Sequence, residues 1–267
     1  MSARASYPQL DEDAQAAVDR VVANMQRPHC KRLLFITGAG ISADSGLPTY
    51  RGTGGLYEET DTDEGVSIED ALSGAMLRSN PALCWKYIAQ IEAGCRGASP
   101  NRGHEVIAHL ADRYEVWVLT QNVDGLHRAA GSSKIIDIHG DVHTLQCTSC
   151  LYQVVVDDYA EVTIPPHCPK CEALVRPDVV LFGEMLPSEK LKDLSRELEN
   201  GFDMVFSVGT TSVFQYIAAP VWIAKQSAIP TVEINPGTTE VSQIVDERIT
   251  HGAALSLGAI WERLEHP

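Results

Sequence analysis

The stretch "TGAGISADSGLPTYRG", residues 37–52, directly follows the apolar run "LLFI", residues 33–36. A short apolar run that ends in glycines is typical of a buried strand that turns into a loop or helix. The spacing Gly38-x-Gly40-x-x-Ala43 satisfies a relaxed dinucleotide fingerprint, because small residues let the backbone approach a pyrophosphate. The alternative is that the glycines serve only tight packing. The stretch therefore predicts the first strand of an α/β fold and a candidate phosphate site.

Four further apolar runs predict four more buried strands of a parallel sheet. They cover residues 116–119, 135–138, 204–208 and 231–234, and polar or glycine-rich residues follow each of them. In open α/β sheets, ligands bind beyond the carboxyl ends of the strands, so we expect five strand ends to converge on one crevice. Apolar positions at helical spacing in residues 13–26 predict an amphipathic helix before the first strand. The expected fold is a Rossmann-like doubly wound parallel sheet.

Two segments interrupt the pattern of strands and predict a smaller domain. The pattern of residues 46–113 predicts mostly loop and helix, and residues 141–177 contain paired cysteines. The remaining residues, 1–45, 114–140 and 178–267, would build the Rossmann-like domain. We therefore expect one main domain, with a helical module and a cysteine module inserted into it.

Composition excludes some classes of partner. The chain has 267 residues and a formal net charge of −15, which argues against direct binding of nucleic acid. The acidic surface would suit basic partners, or it serves solubility alone. No stretch approaches the roughly 20 apolar residues of a membrane span, and the N-terminal residues lack the apolar block of a secretory signal. We therefore expect a cytoplasmic protein that does not bind membranes.

Four of the seven cysteines form two close pairs. The pattern Cys147-x-x-Cys150 followed by Cys168-x-x-Cys171 is typical of a structural zinc ribbon with tetrahedral thiolate ligands. His143 or His167 could replace a ligand, and four free core cysteines are a further alternative. Four protein ligands leave no open position for water, so this Zn²⁺ would support the fold and take no part in catalysis.

Polar residues after two predicted strands are candidates for a binding or catalytic site. The amide and carboxylate groups of Gln121, Asn122 and Asp124 suit hydrogen bonds to sugar hydroxyls or a carboxamide, although the segment could also be a simple turn. His139 stands before a glycine at a strand end, where an imidazole is well placed to act as a general base near neutral pH. A purely structural histidine is the alternative.

These motifs together resemble the sirtuins, protein lysine deacylases that consume NAD. The resemblance covers about residues 30–240 and depends on the order of "GAGISADSGLPTYR", "TQNVDGLH", "IHG", the cysteine pairs, "RPDVVLFGE", "VGTTS" and "EIN". It implies an enzyme that transfers the acyl group of an acyl-lysine protein or peptide to ADP-ribose and releases nicotinamide, with NAD and Zn²⁺ as cofactors. Residues 46–113 would then include the family's cofactor loop.

The resemblance also implies roles for particular residues. His139 would be the general base, and Asn122 would act beside it in the nicotinamide pocket. Val180, Phe182 and Gly183 would bind the substrate peptide as an added strand. The residues that would contact NAD are Gly38, Ala39, Gly40, Ser42, Tyr50, Arg51, Gln121, Asn122, Asp124, Gly209, Thr210 and Asn235.

The sequence departs from the family pattern at several points. Tyr50 replaces a usual phenylalanine, and "GTTSVFQYIAAP", residues 209–220, is about one residue longer than usual. Ile88 and Ile91 occupy the positions where desuccinylases carry a tyrosine and an arginine, which favours a neutral acyl group.

Three other functions compete with deacylation. A hydride-transferring dehydrogenase would need a second strand that ends in an acid, and residues 51–65 contain acids with no strand-like run before them. A protein ADP-ribosyltransferase of the same family would share the NAD site but would not need the acyl-lysine channel. A non-catalytic NAD sensor would need neither His139 nor Asn122.

Overall fold

The computed structural model of the chain describes residues 9–49 and 62–266. The helices are α1 (Glu12–Met25), α2 (Ala39–Ser42), α3 (Ile68–Ala71), α4 (Gly74–Ser79), α5 (Pro81–Cys95), α6 (Arg102–His109), α7 (Leu126–Ala129), α8 (Ser188–Asn200), α9 (Gln215–Gln226) and α10 (Ala253–Glu265). The strands are β1 (Arg32–Thr37), β2 (Glu115–Thr120), β3 (Ile135–Asp137), β4 (Gly140–Cys147), β5 (Gln153–Val155), β6 (Val175–Val179), β7 (Met204–Val208), β8 (Thr231–Ile234) and β9 (Glu247–Ile249). In the described part of the chain, no helix is both long and apolar enough to span a bilayer.

The main sheet has six strands in the order β3-β2-β1-β7-β8-β9, and every neighbouring pair is parallel. The five strands predicted from the apolar runs are all present. The sequence analysis missed β9, a three-residue edge strand whose first two residues are charged. Glu247 and Arg248 interrupt the apolar pattern that predicted the other five strands.

Helices cover both faces of this sheet because successive side chains of a strand point to opposite faces. In β1, Leu33 and Phe35 pack into a core with α1, α6 and α10. Leu34 and Ile36 pack into a second core with α8 and α9. Phe35 also stacks on Phe206 of β7, with ring centroids 4.4 Å apart. The doubly wound arrangement is confirmed, and it agrees with the apolar run of residues 33–36 at the centre of β1.

The predicted N-terminal helix is confirmed as α1. Asp11 caps it by accepting a hydrogen bond from the backbone N–H of Ala14 at 2.8 Å. This bond satisfies one of the free amides of the first turn. Val18 and Val21 lie on the face that is buried against the sheet.

A smaller antiparallel sheet, in the order β5-β4-β6, packs against α4 and α5 around a third core. The fully buried Trp85 of α5 donates its indole N–H to the carbonyl of Val175 at 3.0 Å. This bond ties the helical segment to the segment with the cysteines. The boundaries at residues 45, 113, 140 and 177 remain a prediction from the sequence.

The turns after β1 and β7 touch through their backbones. Gly40 donates its N–H to the carbonyl of Gly209 at 2.8 Å. A Cβ added to Gly40 would lie 2.6 Å from the Cα of Gly209, and Gly209 itself has a φ of +60°. Any side chain at either position would push the two turns apart.

We expect the substitution Gly40→Ala to destabilise the protein by about 2 kcal/mol and to lower Tm by about 5 °C, because overpacked backbone has no flexible atom that can move away. The matched control is Gly94→Ala in α5, where an added Cβ meets no atom within 4 Å. The control should keep or raise Tm, since alanine is the better helix former. Thermal unfolding followed by circular dichroism measures both, and an unchanged Tm for Gly40→Ala would refute this account of the turns.

Candidate active site

The candidate site lies at the carboxyl ends of the central strands of the main sheet. From β1 the chain continues to β2 and β3 at one edge of the sheet, and from β7 it continues to β8 and β9 at the other edge. The strand order therefore reverses between β1 and β7. The crevice beyond such a switch point is where open α/β sheets bind ligands. The predicted site residues in the described part of the main sheet follow β1, β2, β3, β7 and β8, so their strand ends meet at one edge.

Asn122 joins the turns after β1 and β2. Its side-chain amide, which is buried, donates to the carbonyl of Gly38 and to the hydroxyl of Ser42, both at 3.1 Å. The Ser42 hydroxyl donates in turn to the Asp124 carboxylate at 2.7 Å. Burial raises the pKa of Asp124, although Ser42 and the N–H of Leu126 both donate to it. The arrangement is a polar pocket floor fixed by several hydrogen bonds.

Gln121 links the turn after β2 to the turn after β7. Its amide donates to the hydroxyl of Thr210 at 2.7 Å, and the Thr210 carbonyl accepts from the Asn235 amide at 3.1 Å. Gly209, which begins this turn, accepts the N–H of Gly40. One network therefore connects residues that the sequence placed on four separate strand ends.

His139 lies between the two sheets. Its Nδ1 is 3.0 Å from the carbonyl oxygen of Gln121, and its own carbonyl accepts the N–H of Val180 at 2.8 Å. The next residue, Gly140, has a φ of +96°, and a Cβ there would lie 1.7 Å from the carbonyl oxygen of Asp178. Burial lowers the pKa of His139, and the nearby ammonium of Lys190 acts in the same direction. A neutral imidazole at this position can accept a proton.

The predicted peptide-binding segment runs beside His139. Phe182 is paired through its backbone N–H with the carbonyl of Leu72 and through its carbonyl with the N–H of Gly74, both at 3.0 Å. Arg176 holds the end of this segment through an ion pair with Glu184, with one N···O distance of 2.6 Å. Glu184 also accepts the N–H of Leu181, so the backbone around Phe182 is fixed from both sides.

Of the four predicted site residues that remain, two lie within the described structure and two lie outside it. Ala39 begins α2 and is half-buried, and Gly183 adopts a φ of +76° next to Phe182. Helix α2 is only four residues long, so the free amides of the turn matter more here than a helix dipole. Tyr50 and Arg51 lie outside the described residues.

The sequence analysis missed two aromatic residues at the site. The hydroxyl of Tyr216 lies 2.6 Å from Nε2 of His139. The Phe214 ring stacks on that of Tyr216 and meets His139 edge-on. Both belong to residues 209–220, whose unusual length was the available signal, but the sequence did not show which side chain would reach His139.

The four paired cysteines meet in one cluster beside the small sheet. Their sulfur atoms all lie within 4.8 Å of one another, and the shortest Sγ···Sγ distance, between Cys147 and Cys171, is 3.5 Å. This separation excludes a disulfide, whose sulfurs lie about 2 Å apart. It is close to the edge of about 3.8 Å expected for a tetrahedron with Zn–S bonds of about 2.3 Å. The cluster therefore fits Zn²⁺.

Backbone amides around the cluster also suit thiolate ligands. The N–H groups of Ser149 and Cys150 donate to the sulfur of Cys147 at 3.3 and 3.4 Å, and the N–H of Lys170 donates to Cys168 at 3.4 Å. Hydrogen bonds of this kind stabilise the charged sulfur and fix its direction. His143 contacts Asp141 instead, at 3.4 Å, and is not part of the cluster.

The fold and the site together define a Rossmann-like α/β protein with a zinc-ribbon module beside its crevice. The model of the Sir2 family matches residues 38–215. The chain is 49% identical over 249 residues to a protein named NAD-dependent protein deacylase 2 from Pseudomonas aeruginosa, across 92% of this chain and 96% of the relative. This protein therefore belongs to the Sir2 family, and the resemblance to the sirtuins is confirmed.

Solved structures agree with this assignment. The fold is similar to a Sir2 homologue in complex with NAD, with a TM-score of 0.82 and 31% identity over 97% of this chain and 96% of that chain. It is also similar to Sir2 bound to a p53 peptide and NAD⁺, with a TM-score of 0.78 and 26% identity over 92% of this chain and 98% of that chain.

We expect the purified protein to contain about one Zn²⁺ per chain and the substitution Cys147→Ser to remove it, because three thiolates and a hydroxyl no longer form a closed tetrahedral site. Solubility should fall as the small sheet loses its anchor. Cys95→Ser, outside the cluster, is the matched control and should keep its metal. Elemental analysis of the dialysed proteins measures zinc. Full zinc content in Cys147→Ser would show that this thiol is not a ligand.

Proposed function

We propose that this protein is an NAD-dependent lysine deacetylase that accepts neutral acyl groups and acts on acyl-lysine proteins or peptides. NAD-dependent protein deacylation as a class of activity follows from its membership of the Sir2 family and its closely similar relatives. The observation that supports the roles of individual residues is that Gln121 bonds to both Thr210 and His139, while the next residue, Asn122, bonds to the turn after β1.

The turns after β1 and β7 suit a dinucleotide. Gly38 and Gly40 present backbone without side chains, and the buried Asn122 and the half-buried Asp124 provide a carboxamide and a carboxylate next to them. Ala39 and Ser42 complete the turn, while Thr210 and Asn235 would face the adenosine side. When bound, NAD would supply the ribose carbon from which nicotinamide leaves and the ribose hydroxyl that receives the acyl group.

In this proposal, the residues of the chain orient the reactants and move one proton. Val180, Phe182 and Gly183 hold the substrate peptide, and its acyl-lysine enters beside His139. Burial keeps the imidazole neutral, and its Nε2 accepts a proton from a ribose hydroxyl of NAD. Exclusion of water from this pocket strengthens every polar contact that orients the reactants.

The preference for a neutral acyl group follows from the residues of α5. Ile88 is buried and Ile91 is partly buried in the core of the small sheet, and neither can pair with a carboxylate. Tyr87 is also buried, and its hydroxyl donates to Glu64. An acyl carboxylate buried near these side chains would have no cation among them, which is costly in free energy.

The other parts of the proposal concern the cofactor metal and the location. The cysteine cluster would hold Zn²⁺ as a structural ion that takes no part in the reaction at His139. A cytoplasmic location is supported by free cysteines, which suit a reducing compartment. ADP-ribosyl transfer to protein is not favoured, because the sequence keeps Val180, Phe182 and Gly183, which would form the channel for acyl-lysine.

We expect His139→Ala to reduce deacylation by at least about 10²-fold, because the proton acceptor is removed from a buried site. The zinc content and Tm should stay close to wild type. The matched control is His109→Ala in α6, a histidine outside the site. Deacylation of an acetyl-lysine peptide with NAD, followed by mass spectrometry, measures the rates. Wild-type activity in His139→Ala would rule out its role as the general base.

We also expect an acetyl-lysine peptide to be deacylated only when NAD is present, with acetylated ADP-ribose as the product. The succinyl peptide of the same sequence should react at least about tenfold more slowly, because its carboxylate finds no partner. Mass spectrometry of both reactions, with and without NAD, gives the result. ADP-ribose attached to protein without loss of either acyl group would favour the transferase instead.

A further inference from the structure

The hydroxyl of Tyr216 is hydrogen-bonded to Nε2 of His139, the atom that has to accept a proton. A carbonyl oxygen only accepts hydrogen bonds, so Nδ1 of His139, 3.0 Å from the carbonyl of Gln121, carries the imidazole proton. The lone pair of the neutral ring is then at Nε2. The hydroxyl of Tyr216, 2.6 Å away, therefore donates its hydrogen to Nε2. The proton acceptor of the site is occupied by a phenol.

The position of Tyr216 is fixed by its neighbours. It lies in the first turn of α9, within the segment 209–220 that is longer than the family pattern. The ring of Phe214 stacks on it with centroids 5.4 Å apart and planes 14° apart. The same Phe214 ring meets His139 edge-on at 6.0 Å, so the two aromatic rings enclose one side of the imidazole.

The acidities of the two groups argue against transfer of the phenol proton to the base. Burial raises the pKa of Tyr216 to about 12, while burial lowers that of His139. A proton that moved from the phenol to the imidazole would move far uphill. Lys190 of α8, which also lowers the pKa of His139, is ion-paired with Asp137 at 2.9 Å.

We infer that Tyr216 occupies the proton acceptor of the free site: its hydroxyl donates to Nε2 of the neutral His139 when no substrate is bound, and it yields this place to a ribose hydroxyl of bound NAD. Nε2 has one lone pair, so it accepts a hydrogen bond either from the phenol of Tyr216 or from a ribose hydroxyl of NAD. No proton is transferred from Tyr216. The inference deepens the function proposed above and depends on the role given there to His139.

The experiment compares wild type with Tyr216→Phe, which keeps the stacked ring and removes the donor. Histidine NMR of the free protein measures the tautomer and pKa of His139, with the His139→Gln spectrum as the assignment. Tyr114→Phe is the matched control, because its hydroxyl donates to the carbonyl of Met25 in a different part of the fold. This measurement needs no enzymatic activity, so it remains informative even if the proposed deacylation is not found.

We expect wild-type His139 to be protonated at Nδ1, and its pKa to rise by about half a unit to one unit in Tyr216→Phe, because a hydrogen bond to the neutral form is lost. As the pH is lowered, the neutral imidazole is then protonated at a higher pH than in wild type. The acid limb of the pH profile of kcat/KM therefore shifts to higher pH. The acid limb of kcat should not move, since Tyr216 has already left the base in the complex. On the plateau, kcat/KM should rise about fivefold with kcat unchanged.

Two results would overturn the inference. A pKa of His139 that is the same in Tyr216→Phe and wild type would mean that the hydrogen bond does not stabilise the neutral imidazole. A fall in kcat of tenfold or more in Tyr216→Phe would mean that the phenol carries a proton during the reaction. Tyr114→Phe should leave the NMR titration and both kinetic profiles unchanged.

Discussion

The rest of this structure depends on the close backbone contact between the turns after β1 and β7. Gly40 donates to the carbonyl of Gly209, and no side chain fits between the two turns. Since β1 and β7 are neighbours in the sheet, this contact sets how near Thr210 comes to Gln121. The same approach leaves bare backbone facing the crevice. The structure shows that these glycines serve tight packing, and the phosphate site that the motif predicts would use the same bare backbone.

A second constraint joins the large sheet to the small one at His139 and Gly140. The carbonyl of His139 accepts the N–H of Val180, and Gly140 approaches the backbone of Asp178 more closely than any other residue type could. The candidate base is therefore held by the backbone on both sides and by Gln121 at its ring. Such fixation places the imidazole in a buried position where its neutral form is favoured, and positioning of this kind is a large part of enzymatic rate enhancement.

Much of the fold could be predicted because the central strands are apolar on both faces. Leu33 to Ile36 alternate between two cores, and only a strand covered by helices on both sides has this pattern. The edge strand β9 was missed because Glu247 and Arg248 carry no such signal. Among the candidate site residues, the sequence singled out the glycines, Asn122, His139 and the cysteines, since their type and spacing indicate their chemistry. Tyr216 was not found, because its importance depends on a neighbour 77 positions away in the sequence.

The sequence by itself determined five of the six strands of the main sheet, the N-terminal helix, the four cysteines that fit a metal and the residue types at the strand ends. It could do so because periodicity, turn chemistry and ligand spacing are local properties of the chain. Only the tertiary structure decided that Asn122 bonds to Gly38 and Ser42, that His139 lies between two sheets, and that Tyr216 meets its Nε2. These contacts join residues far apart in sequence, and their geometry is set by how the strand ends and their turns pack together.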